Sequence, residues 1–241
     1  MNFVLDTHVH TISSGHAYST LAEYVQMAKH IGLELIAMTD HGPAMPGGPH
    51  RFHIGNQRVL PEYMDGIRVL RGVEANIIDF DGGLDLEERF LKRLDIVIAS
   101  LHDVVIEPGS RKQNTNALLR AMENPYVDVI AHPGNPAFPI DIDAFVRKAC
   151  EQDVLIEINN SSFGGSRRGS RGNCVTIAQK AMEYGAKVIA GSDAHVVYDL
   201  GRFDDVLDVF DDIEMPTDLI MNTSVDKLVD HLRNRGREVF L

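Results

Sequence analysis

Short apolar runs alternate with longer amphipathic stretches from one end of the chain to the other. Residues 3–7, 34–39, 67–73, 95–99, 127–131, 155–158 and 187–190 are apolar runs of strand length. Between and after them, residues 21–30, 86–93, 114–122, 142–150, 174–184, 204–210 and 224–233 carry apolar positions at helical spacing. Ser19 is placed to cap the first helix and Gly32 to end it. Gly185 ends the helix that closes at Tyr184, and Ser224 caps the last. Residues 219–221 are a candidate for one short extra strand. Repeated β-α units with no break in composition predict one α/β domain over residues 1–241. Seven or eight such units in this length favour a closed parallel barrel, with a doubly wound open sheet as the alternative. Two segments break the alternation. Residues 42–58 are rich in Pro and Gly and carry His50, Arg51, His53 and Arg58, and residues 163–173 are rich in Gly, Ser and Arg. Both are expected to be long loops over one end of the domain.

The polar residues fall in a positional pattern. His8, His10, His41, Glu74, His102, His132, Asp193 and His195 lie at or just past the C-terminal end of a predicted strand, and His16 lies in the loop after the first. In a parallel barrel those ends share one face, and that face carries the active site. His8 and His10 alternate along a strand, so their rings share a face, with Asp6 one step behind. Asp193 and His195 repeat the spacing. One histidine alone is more often a surface or hydrogen-bonded core residue than a ligand. Seven of 11 histidines at strand ends or in the loop beyond is not a chance distribution. Seven imidazoles and two carboxylates are too many for one ion and suffice for two or three. Nitrogen with carboxylate suits Zn²⁺, and equally Mn²⁺ or Fe²⁺. His30 and His231, in helices, are assigned to surface faces. His50 and His53 divide evenly between substrate contact and solvation. Asp6 and Asp40 adjoin candidate ligands and are placed to orient imidazoles, with a turn or cap role as an equal reading for Asp40.

Composition narrows the partners. A net charge of −12 argues against a groove for long nucleic acid, and no basic or aromatic stripe is present. Three divalent cations would halve that charge and concentrate positive potential where an anion docks. Arg167, Arg168 and Arg171 follow the sixth strand and Arg111 and Lys112 the fourth. Arg167, closest behind the Asn-Ser-Ser segment, is the first choice for a phosphate contact. Cys150 and Cys174 fit no disulfide framework and are expected to be small buried or partly buried thiols. No signal peptide and no apolar run of membrane-spanning length is visible, so no membrane partner and a cytoplasmic location are expected.

His8-Val-His10, Thr39-Asp40-His41-Gly42, Gly72-Val-Glu74, His102, His132-Pro133 and Gly191-Ser-Asp193-Ala-His195 resemble, in order, the motif set of the PHP (polymerase and histidinol phosphatase) family. His16-Ala-Tyr-Ser-Thr, His132-Pro-Gly-Asn-Pro and Glu157-Ile-Asn-Asn-Ser-Ser are similar to the YcdX-type phosphatases within it. The resemblance implies a distorted (β/α)7 TIM-like barrel with three divalent metal ions, Zn²⁺ first among them. It implies that His8, His10, Glu74 and Asp193 hold one ion. Glu74 would bridge to a second, held with His102 and His132, and His16, His41 and His195 would hold the third. It further implies a metal-bridging hydroxide attacking small phosphate monoesters, with Glu74, His102 and Asp193 catalytic beside Arg167. A small phosphorylated substrate and a homo-oligomer are the partners it suggests. Two alternatives keep the metals: a nucleotide phosphatase or phosphodiesterase acting on short nucleic-acid ends, and an amidohydrolase. The acid after strand three, with His16 and His41, favours the phosphatase over the amidohydrolase. Metal storage or a scaffold is the non-enzymatic alternative.

Overall fold

All five residues of the first strand, β1 (Leu5–Val9), are buried. A strand covered on both faces belongs inside a parallel sheet roofed by helices. The computed structural model, which describes residues 1–165 and 167–240, shows this arrangement. The later strands are β2 (Leu35–Met38), β3 (Tyr63–Met64), β4 (Ile67–Asn76), β5 (Ile96–Ser100), β6 (Val129–Ile130), β7 (Leu155–Asn159) and β8 (Val188–Gly191). All but β3 are parallel, in the order β1-β2-β4-β5-β6-β7-β8, and β3 pairs antiparallel with β4. The ring is nearly closed. Val9 bridges Ala194, and the Ala194 carbonyl accepts from His10 N at 2.9 Å. Tyr24 Oη lies 3.0 Å from both the His10 and Ala194 carbonyls and fastens the two strand ends. Lower down, β1 and β8 splay, and the Asn222 amide fills the gap. Its Nδ2 donates to Leu5 O (3.2 Å) and Ala190 O (2.9 Å), and its Oδ1 accepts from Ala190 N (2.6 Å). One side chain thus replaces a stretch of ladder, which is the distortion of the barrel.

The helices are α1 (Leu21–Ile31), α2 (Arg51–Gly55), α3 (Glu88–Leu91), α4 (Arg111–Ala121), α5 (Ile142–Glu151), α6 (Ser170–Tyr184), α7 (Asp204–Asp212) and α8 (Val225–Asn234). Several expectations are corrected. Thr20, not Ser19, caps α1, because Thr20 and Glu23 form a reciprocal capping box. The expected loop 42–58 contains α2 and a further turn at Gln57–Val59. Helix α4 begins three residues early on a Ser110–Gln113 capping box, and α6 begins at Ser170, so the loop expected over 163–173 is shorter. Residues 219–221 form no strand among the described residues. Two 3-10 turns flank Ile220, which makes one bridge to Val188. His231 is buried, not on a surface face, and burial pushes its imidazole down to about 4. Cys150 is exposed, contrary to expectation, while Cys174 is buried.

Leu5, Leu35, Leu70, Ile98 and Leu155 fill the barrel interior together with Leu228 and Leu232 of α8. The C-terminal segment is locked by charge as well. Arg237 Nη2 lies 2.7 Å from Asp128 Oδ2, both side chains being buried, and its Nη1 donates to Leu91 O at 3.0 Å. Removing one partner of a buried pair leaves the other uncompensated. We expect Arg237→Ala to lower unfolding stability by about 3 kcal/mol, read as a shifted urea midpoint with an unchanged slope. An unmoved midpoint would show that Arg235, 3.3 Å from Asp128 Oδ1, carries the pair alone.

Candidate metal centre

The C-terminal strand ends bring together all nine residues named from sequence. Glu74, fully buried near the end of β4, is the hub. Its Oε2 lies 3.4 Å from His8 Nε2, 3.5 Å from His10 Nε2 and 2.7 Å from His41 Nδ1. Its Oε1 lies 2.9 Å from His132 Nε2 and 3.3 Å from His102 Nε2. The two oxygens therefore face different imidazole sets. Asp193 Oδ1 approaches His10 Nε2 (3.2 Å) and His8 Nε2 (3.6 Å). His16 completes the arc: its Nε2 is 3.2 Å from His41 Nε2, and its ring stacks 4.9 Å from His195. Three compact donor groups result: His8–His10–Asp193, His41–Glu74–His102 and His10–His41–His195.

Two of these side chains depend on unusual backbone. His132 (φ 33°) and Asp193 (φ 57°) both lie in the left-handed region that non-glycine residues seldom adopt. Each turns off its strand there and carries its side chain into the centre. The His16 loop approaches residues 42–48 so closely that a Cβ on Gly15, itself at φ 79°, would meet Gly47 O at 2.3 Å.

The electrostatics fit divalent cations. His8 Nε2, His10 Nε2, His41 Nδ1 and Glu74 Oε2 are buried and converge on one space, yet none makes a well-aligned hydrogen bond, even where His41 Nδ1 and Glu74 Oε2 lie 2.7 Å apart. Buried polar atoms are rarely left so. Burial and the neighbouring His41 push His10 well below the ordinary imidazole range, and burial with the Arg167 charge takes His132 down to about 4. Both rings are thereby held in the neutral form, the form that binds a metal. Burial opposes ionisation of Glu74 and Asp193, but the His102 and His8 rings hold Glu74, and His8 and Arg167 hold Asp193, well below the usual carboxylate range. At His8 burial is overcome by Glu157 first and Glu74 next, and the imidazole rises well above its usual value. A buried donor set this rich in negative charge calls for cations.

Supporting residues divide into those foreseen and those missed. Asp40 accepts from Thr11 N (2.7 Å) and Ser14 Oγ (2.7 Å), and Ser14 Oγ reaches His10 Nδ1 at 3.3 Å, so Asp40 acts on an imidazole through Ser14. Asp6 orients no ring. It holds backbone instead, accepting from Ser192 N (3.2 Å) and Gly201 N (3.0 Å). Two supports are not visible in residue spacing: Asn76, whose Oδ1 lies 2.8 Å from His102 Nδ1, and Glu157. Glu157 Oε1 lies 2.6 Å from His8 Nδ1, and its Oε2 accepts from His132 N at 2.9 Å. An acidic residue inside the apolar run 155–158 was the available signal. Arg167 reaches the centre, its Nη2 2.8 Å from Asp193 Oδ2. Arg171 belongs to α6 and faces Asp205 at 3.4 Å, while Arg111 and Lys112 sit exposed in the first turn of α4. His53 Nε2 lies 3.4 Å from Asp40 Oδ2, while His50 caps α2.

The PHP domain profile matches residues 6–161 and a PHP-associated profile matches 176–235. The chain belongs to the PHP family. Both matched segments of this PHP protein feed one core cluster, Ala117 and Ile156 from the first packing with Ile177 and Phe210 from the second. Relatives are close along the whole length. A probable phosphatase of Caldanaerobacter subterraneus subsp. tengcongensis is 54% identical over 240 residues, covering 99% of this chain and 94% of the relative. A probable phosphatase of Acetivibrio thermocellus is 49% identical over 239 residues, covering 99% of each. Among solved structures, the Lactococcus lactis histidinol phosphate phosphatase, complexed with zinc, L-histidinol and phosphate, superposes with a TM-score of 0.56 at 17% identity, covering 97% of this chain and 94% of that one. A putative histidinol phosphatase of Listeria monocytogenes gives 0.59 at 16% identity over 83% and 98% of the two chains. At such identities the likeness is one of fold, a TIM-like barrel.

Proposed function

We propose that this PHP protein is a metal-dependent phosphatase that hydrolyses small phosphate monoesters, and that the nine clustered residues hold three divalent cations, Zn²⁺ first among the candidates. The observation that carries this reading is Glu74, whose two oxygens face separate imidazole sets, with Oε2 and the His8, His10 and His41 nitrogens around it left without a well-formed hydrogen bond. The names of the full-length relatives support the reaction. Bound divalent cations would supply an activated water nucleophile and offset the phosphoryl charge that repels it.

The chain's own residues supply position and charge. Glu74 spans two donor sets, so it fixes their separation. Asp193 presents Oδ1 to His8 and His10 and Oδ2 to Arg167, which ties the arginine to the centre. Arg167 is the phosphate contact in this reading, its planar fork being suited to two phosphoryl oxygens. His16, His41, His102 and His195 line a cavity of about 610 Å³ with Arg167, Asp193 and the apolar Met45, Pro46 and Val104.

The reading is tested by metal removal. Exhaustive chelation followed by elemental analysis should give inactive protein. Adding back Zn²⁺, Mn²⁺ or Fe²⁺ should restore hydrolysis of a chromogenic aryl phosphate, with up to three ions bound per chain. Undiminished hydrolysis by metal-free protein, or hydrolysis of an amide but no phosphoester after reconstitution, would refute it.

A further inference from the structure

The cavity at the metal centre has two chemically different sides. Its inner side is imidazole and carboxylate. Its outer side is Met45, Pro46 and Val104, and Val104 is 61% exposed at the rim. Positive side chains are scarce. Among the described lining residues Arg167 is the one lysine or arginine, and it is engaged with Asp193 at 2.8 Å and Asn159 Oδ1 at 3.3 Å. A lobe of about 350 Å³ adjoins, sharing Ser161, Asp193 and Asp199 with the main cavity. It adds Arg202, but that guanidinium lies 2.7 Å from Asp199. It also adds Asp205, which faces Arg171 at 3.4 Å. Arg111, Lys112 and Arg168 line neither space.

One phosphoryl group therefore finds cationic partners in this site, and a second anionic group finds no net positive charge. In the lobe Arg202 is matched by Asp199 and joined by Asp205, and the rim is apolar, so a second anion would gain little for the water it gives up. An apolar body, in contrast, lies against the buried Met45 and removes the exposed Pro46 and Val104 from water. We propose that the site is selective for phosphate monoesters whose alcohol portion is a compact apolar or aromatic group carrying no second phosphate or carboxylate. This rests on the phosphatase reading and narrows it to a substrate class.

The test uses the metal-reconstituted full chain and esters with alkyl-type leaving groups, so that intrinsic reactivity does not set the order. Benzyl phosphate represents the proposed class. 3-Phosphoglycerate and fructose 1,6-bisphosphate carry a second anion. Benzyl phosphate is expected to exceed both in kcat/KM by about 100-fold, mostly through KM, from about tenfold each for apolar cover and anion exclusion. Val104→Arg should narrow that gap by about tenfold by placing a cation on the rim. If that variant fails to fold, Met45→Ala should raise the KM for benzyl phosphate severalfold. Equal or better turnover of the two-anion esters by the wild type overturns the substrate class and leaves the phosphatase reading standing. Failure to hydrolyse any of the three, together with the aryl phosphate, overturns both.

Discussion

Glu74→Gln is expected to strip metal from the centre and to lower phosphoester turnover by about 10³-fold, the equivalent of about 4 kcal/mol of transition-state stabilisation. The substitution changes almost no volume, so the argument rests on charge and donor count. Each Glu74 oxygen faces its own imidazole set, Oε2 toward His8, His10 and His41 and Oε1 toward His102 and His132. An amide keeps one acceptor oxygen and turns an N–H₂ toward the other set, where it competes with ring nitrogens for the same space. Two donor groups are damaged at once. Elemental analysis of the variant should show at least one ion fewer per chain, while circular dichroism remains that of the wild type. His16→Ala supplies the contrast. His16 is exposed and meets the cluster from one edge, at His41 and His195, so its loss should cost less metal and less activity. A Glu74→Gln protein with the full metal complement and wild-type turnover would remove Glu74 from the hub, and equal losses in the two variants would remove the ranking.

The difference between hub and edge was not legible in the sequence, although convergence was. Strand ends could be read because apolar runs of four to seven residues recur with helical stretches between them, and topology gathers their C-terminal ends on one face. That places His8, Glu74, His132 and Asp193 together without saying which touches which. The missing information is backbone geometry. His132 and Asp193 enter the centre through positive φ, which no spacing rule predicts for residues other than glycine. Closure of the barrel was hidden for a similar reason. Asn222 looks like an ordinary polar residue between two apolar stretches, yet its amide replaces backbone pairing between β1 and β8. Helix starts were missed where capping boxes decided them, at Thr20 and Ser110. The role of Asp6 is hidden because alternation along a strand fixes the face a side chain takes and leaves its partner open. Asp6 turned out to be committed to Ser192 and Gly201 backbone.

Glu157 is the residue whose absence from the expected set matters most, and its substitution should weaken metal binding by about 10- to 100-fold without removing a ligand. Three donors converge on this one carboxylate: His8 Nδ1 at 2.6 Å, His132 N at 2.9 Å and Asn159 Nδ2 at 3.0 Å. Accepting from His8 Nδ1 holds a proton at that nitrogen and leaves Nε2, which faces Glu74 and Asp193, as the one that would give up its proton to a cation. Glu157→Gln offers a single acceptor oxygen to those three donors and turns its own N–H₂ against the rest. The His8 tautomer and the His132 backbone both lose their support. Gly191 gives a second handle on the same device. A Cβ there would lie 2.0 Å from Glu157 Oε1 and 2.9 Å from His8 Cβ, so Gly191→Ala must displace the carboxylate and press on the His8 ring it holds, while leaving every candidate ligand in the sequence. Both variants should therefore show weaker metal affinity by titration calorimetry and lower activity at limiting metal, with much of that activity regained in excess metal. Glu74→Gln should regain little under the same treatment, because it lacks a donor and not merely its orientation. Wild-type affinity in Glu157→Gln and Gly191→Ala together would show that the carboxylate only fills space behind β8.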